Sequence, residues 1–173
     1  MRQTTQSAER PAQTSKPLAW YGRIGWIGLI LLGIFPLLAS TADLSQDLRG
    51  SLPADHIPTF ERLVHAQYAS FASSNPGAAQ YMHLLETGYA VHELVFGLFF
   101  LAIVIWPLRQ GRWWAWVVCW AVLIADVTYS LTFGVNDKTL LARSLLADIL
   151  TPACLLLIAI NFMFYHRYAT TKN

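Results

Sequence analysis

Four apolar runs, at about 23–42, 88–106, 113–134 and 145–165, dominate the 173-residue chain. Each is close to the ~20 residues that cross a bilayer as a helix. The pattern predicts an all-α polytopic membrane protein, a bundle of four transmembrane helices. Residues 1–22 break the pattern. They are polar, rich in Gln, Thr and Ser, interrupted by Pro11 and Pro17, and read as a flexible tail ahead of a single domain over 23–173. The short stretch 107–112 makes the second and third helices antiparallel neighbours. The long connection, 43–87, and the shorter one, 135–144, fall together on the opposite side.

Within the long connection, Phe60, Leu63, Val64, Tyr68 and Phe71 recur at helical spacing, with Glu61, Arg62 and His65 off the stripe. This predicts an additional outer amphipathic helix over about 58–72, docked on the membrane face or packed as a lid over the bundle. Asn75-Pro76-Gly77 then marks a helix start, with Asn75 as N-cap and Pro76 in the first turn. The helical pattern continues to Trp106, about 30 residues or roughly 45 Å. That exceeds the hydrocarbon thickness, so the second helix projects outward or tilts.

Charge sharpens the class. Only 13% of residues are charged, against about 25% in soluble domains. This excludes a disordered chain, a nucleic-acid partner and an ordinary solvated globule, and leaves the lipid bilayer as the first partner. Arg2, Arg10, Lys16, Arg23, Arg109, Arg112, Arg167 and Lys172 fall on one side; Arg49, Arg62, Lys138 and Arg143 fall on the other. The positive-inside rule then places both termini in the cytoplasm, with the chain in the inner (plasma) membrane. Trp20, Trp26, Trp106, Trp113, Trp114 and Trp116 cluster at the cytoplasmic ends as an interfacial belt. Ser40-Thr41-Ala42 has the small residues of a signal-cleavage site, but the polar lead and long apolar core favour a retained span. Cys119 and Cys154 lie in different runs without a C-x-x-C and read as small apolar packing residues. Gly22, Gly25 and Gly28 read as a close helix contact.

The candidate chemistry lies in ionisable residues within or beside the spans. They are Glu86, His92 and Glu93 on the second helix, Asp126 on the third and Asp148 on the fourth. A carboxylate at the bilayer centre costs about 2.5–3.5 kcal/mol, so such residues face a bundle interior or a wet cavity. Glu93 and Asp126 each stand roughly 20 Å up their helices from Trp106 and Trp113, and Asp148 about 5 Å below the outer end of its own. His83, Glu86, Ala90, Glu93 and Gly97 share one stripe, while His92 is ~100° from Glu93. Asp126 shares a face with Tyr129 and Ser130, and Ser144, Asp148 and Thr151 align. Pro152 cannot donate to the Asp148 carbonyl, which predicts a kink there.

These patterns predict a polar pocket between helices two, three and four, open to the outside. Glu86, His92, Glu93, Asp126, Tyr129 and Asp148 are its ligand-binding candidates. The leading expectation is a binding or accessory subunit that holds a lipid-like ligand, an ion or another membrane subunit. A second is an isomerase- or cyclase-like enzyme acting on a lipid-soluble substrate. There Glu93 serves as acid and Asp126 or Asp148 as base. A third is proton-coupled transport, which requires an oligomer. A purely structural hydrogen-bond network also fits. His83-x-x-Glu86 has metal-ligand spacing, but no second Glu-x-x-His unit accompanies it, so no metal site is assigned and no cofactor is indicated.

Overall fold

The computed structural model describes residues 18–54, 56–134 and 138–170. Its elements are α1 (Trp20–Asp47), α2 (Ile57–Val64), α3 (Tyr68–Ser74), α4 (Pro76–Ile103), α5 (Trp113–Gly134) and α6 (Lys138–Thr170). A π-helical turn, Val104–Leu108, extends α4. Four helices are long and apolar enough to cross a membrane, within Trp20–Asp47, Pro76–Leu108, Trp113–Thr132 and Ser144–Met163. The chain is a multi-pass, four-helix membrane bundle.

The expected tail lies outside the described residues up to residue 17, and its end at 20–22 is already helix. A long-range contact explains the early start. Buried Asn161 of α6 accepts a hydrogen bond from the Ala19 N–H at 3.0 Å, tying the first turn of α1 to the bundle. The glycine stripe then lays α1 against α6. A Cβ on Gly25 would stand 2.6 Å from the Cys154 carbonyl oxygen, and one on Gly28 2.5 Å from Cys154 Sγ. Gly33 and Gly97 play the same part between α1 and α4, against Leu101 and Leu37.

The core sits at the tryptophan-rich end, where Leu29, Phe100, Val104, Leu108, Ala115, Cys119, Leu155 and Ile158 pack together. Trp26 Nε1 donates to the Val104 carbonyl at 2.8 Å, and Trp116 Nε1 to that of Leu155 at 2.9 Å. Trp20, Trp106 and Trp113 stay exposed at this end, whereas Trp26 and Trp116 turn inward to brace the helices. Pro107 lacks the N–H that a regular helix needs, and the π-turn accommodates it. α6, by contrast, continues helical through Pro152.

α1 packs along both α4 and α6, and α6 along α5, but α4 and α5 barely touch. The short connection makes them neighbours only near the turn. Farther along, the stacked rings of Tyr89 and Tyr129 span the gap, with centroids 5.6 Å apart and planes inclined by 15°. Three seams of the bundle are closed by backbone proximity, and the fourth is propped open by two aromatic rings.

The outer amphipathic helix is broken in two. His65 adopts a left-handed conformation (φ 56°, ψ 32°), ending α2 and allowing α3 to restart at Tyr68. In one straight helix Phe60 and Tyr68 would lie about 12 Å apart along the axis. The break brings their rings edge to face at 5.2 Å, with Phe71 beside Phe60 at 5.1 Å. Leu52, Ile57, Ala72 and Met82 complete this cap cluster, while Leu63 and Val64 of the same stripe remain exposed. Asn75 occupies the N-cap position of α4 without capping it. Its side chain donates back to the Phe71 carbonyl at 3.2 Å instead.

Candidate functional site

A cavity of about 510 Å³ occupies the half of the bundle nearer the cap. α1 contributes Pro36, Ala39 and Asp43; α4 contributes Tyr89, His92, Glu93 and Phe96. α5 adds Asp126 and Tyr129, α6 adds Ser144, Ala147 and Thr151, and the cap loop adds His56. The pocket expected between three helices is therefore walled by four. The apolar pattern does not mark α1 as a wall, because its acids, Asp43 and Asp47, lie past the end of the run at 23–42 although α1 continues to Asp47.

Asp126 is hydrogen-bonded to Asp148 across the α5–α6 seam. Asp148 is not among the residues lining the cavity, and its Oδ1 is buried and lacks a hydrogen-bond partner. Glu93 lines the cavity from α4, and both Glu93 and Asp126 act electrostatically on Tyr89. The Tyr89 and Tyr129 side chains are also hydrogen-bonded to one another. His92 Nδ1 lies 2.6 Å from the Gly88 carbonyl, to which it must donate. That bond places a hydrogen on Nδ1 and orients the ring.

Glu86 sits one layer nearer the cap and is not among the cavity-lining residues. Its Oε2 lies 3.0 Å from His56 Nδ1. Beside this pair, His83 Nε2 lies 2.9 Å from the Tyr68 hydroxyl, and its Nδ1 lies 4.0 Å from Asp47 Oδ1. His83, Tyr68, Asp47, His56 and Glu86 thus join the ends of α1 and α4 to the cap. None but Glu86 was a candidate from sequence, because His56 and Asp47 meet α4 only through folding. Among the described residues, no group of three or more His, Cys, Asp or Glu is placed to hold a metal ion.

Asp47 ends α1, five residues past the apolar run at 23–42 and within its polar continuation. Its carboxylate oxygens are buried and make no hydrogen bond. Burial first, and then the Glu86 carboxylate, push its pKa above the ordinary Asp value, against the opposing pull of His83 and His56. A raised folded-state value means that the fold gains while Asp47 is protonated and loses that contribution as pH rises through that value. Asp47→Asn should therefore raise the melting temperature at about pH 8 and change it little at about pH 4. Equal destabilisation at both would contradict this account of the cap.

The fold and cavity define a class: a four-span helical membrane protein with an acid-lined, capped chamber in one half. No protein family, curated protein or solved structure matches the chain.

Proposed function

We propose that this protein binds a lipid-soluble small molecule in the chamber between α1, α4, α5 and α6, with access through the Tyr89–Tyr129 seam. The observation that carries this reading is the chamber itself. Its volume of about 510 Å³ falls in the ~300–1,000 Å³ range of small-molecule sites, and its apolar walls hold a few convergent polar groups. The distribution of Lys and Arg favours a cap on the outside and both termini in the cytoplasm of an inner (plasma) membrane. Glu93, Asp126 and Asp148 then lie in the outer leaflet, and the α4–α5 seam faces the lipid tails. Glu93, Asp126, His92 and Tyr129 contact the ligand in this reading, Asp148 positions Asp126, and Glu86 holds the cap through His56.

One feature favours a second reading. Glu93 and Asp126 bring two carboxyl groups from different helices to the same chamber, with Asp148 beside Asp126, and paired carboxyl groups are what general acid and base catalysis uses. In that case Glu93, Asp126 and Asp148 carry the chemistry on the same bound molecule.

The test is native mass spectrometry from mild detergent, comparing the wild type with the double variant Ala39→Phe, Ala147→Phe, which fills the chamber. The wild type should retain a small lipid-soluble adduct. The filled variant should lose it while melting within a few degrees of the wild type, as both sites already face open space. An adduct retained by the filled variant excludes the chamber as the site. A co-purifying protein in place of a small molecule points to an accessory subunit.

A further inference from the structure

We propose that the cap, α2 with α3, is a pH-sensitive lid over the chamber, fastened while His56 and His83 are protonated and loosened when they are neutral. The lid is independent of what the chamber binds. Its contact with the bundle is thin. Among the described residues α2 packs on α3 and α3 on α4, and neither lies along α1, α5 or α6. The apolar cap cluster reaches the bundle through Met82 of α4. Gly50, left-handed at φ 77° with open space around it, joins the cap to α1 and supplies a hinge.

Two polar fastenings hold this thin junction, and each passes through a histidine. His56, just ahead of α2, pairs with Glu86 of α4 at 3.0 Å and also lines the chamber, so its release uncovers the chamber wall. His83 of α4 meets the Tyr68 hydroxyl of α3 at 2.9 Å. Its buried Nδ1 makes no hydrogen bond and lies 4.0 Å from Asp47 Oδ1 of α1. The charges acting on Asp47 come from Glu86, His83 and His56. Glu61 of α2 accepts the Tyr68 N–H at 3.3 Å, and Asp43 of α1 lines the chamber with His56. Arg49, Arg62 and His65 are exposed. Histidine is the side chain that ordinarily changes charge between about pH 5 and 8. When both are protonated, His56 gives the Glu86 carboxylate a charge-assisted hydrogen bond and His83 offsets Asp47. As pH rises both positive charges are lost, and the Asp47 and Glu86 carboxylates are left to repel each other beneath the cap. The lid therefore closes in acid and opens in alkali.

The test is hydrogen–deuterium exchange of the full chain in phosphatidylcholine nanodiscs from pH 5.5 to pH 8, corrected for the intrinsic pH dependence of exchange. Protection of the α2 and α3 amides should fall about tenfold across this range, as expected for loss of one charge-assisted hydrogen bond. Amides around Leu29 and Ile158 in the core should keep theirs. The double variant His56→Gln, His83→Gln retains hydrogen-bonding amides without a titrating charge, and its cap protection should be flat with pH. Should that variant not fold, His56→Gln alone should reduce the pH dependence. Flat protection in the wild type, a fall shared equally by the core, or a fall undiminished in the glutamine variants overturns the proposal. The filled variant (Ala39→Phe, Ala147→Phe) should respond to pH as the wild type does. Loss of the response there would tie it to a ligand in the chamber and overturn a device built into the cap.

Discussion

Leucine at position 25 should prevent the bundle from closing. The Gly25 Cα faces the backbone of α6, where even a bare Cβ would stand 2.6 Å from the Cys154 carbonyl oxygen and 3.1 Å from the Leu157 Cβ. A backbone oxygen cannot rotate away as a side chain can, so α1 and α6 would have to separate along their length. Overpacking in a rigid core costs about 1–3 kcal/mol for modest insertions, and an isobutyl group against a carbonyl exceeds that. Gly25→Ala should already lower the melting temperature measurably, and Gly25→Leu should shift the detergent-solubilised protein to aggregates on size exclusion. Gly88→Ala is the matched control, since a Cβ there meets nothing within 4 Å. Alanine is the better helix former by about 0.5–1 kcal/mol, so this variant should be neutral or slightly stabilised. A folded, monodisperse Gly25→Leu protein would show that α1 does not lie on α6 in this way.

Removing both members of the carboxyl pair should cost less than the two single removals added together. In Asp126→Ala, Asp148 loses its partner while its Oδ1 already lacks one, leaving a buried polar group unsatisfied. Such a loss costs about 1–3 kcal/mol, or roughly 2–10 °C in melting temperature for a chain of this size. Asp126→Asn keeps a hydrogen-bonding amide in place and should be much milder. The double variant Asp126→Ala, Asp148→Ala should be less destabilised than the sum of the single variants, because the second change removes the group that the first leaves stranded. Strict additivity in this cycle would mean that the two carboxyls do not interact.

The pairing of Asp126 with Asp148 was foreshadowed by depth. Both residues count to the capped half of their helices, and a costly acid on each must turn from lipid toward another helix. Glu93 followed from the same argument and lines the same chamber. Glu86 shares the Glu93 stripe but lies about 10 Å farther along α4, which carries it out of the chamber and into the cap. Periodicity assigns a face and says nothing of where along that face a cavity ends. Tyr89 could have been found as an aromatic one turn before Glu93, but its stacking on Tyr129 depends on the spacing between two helices.

The sequence by itself determined the number of spanning helices, the length of the second, the close-contact glycines and the half of the bundle in which acids gather. All of these follow from local quantities: hydrophobic run length, rise per residue, and the cost of placing a charge in hydrocarbon. Tertiary structure alone decided that α1 forms a wall of the chamber, that the α4–α5 seam is held apart by rings, and that the outer stripe breaks at His65. Each of these outcomes depends on which surfaces meet. Backbone proximity at a glycine closes one seam, stacked tyrosines prop another, and an aromatic cluster outweighs the continuity of a single helix. Such competition between packing arrangements is settled across the whole bundle, and no window along the chain contains it.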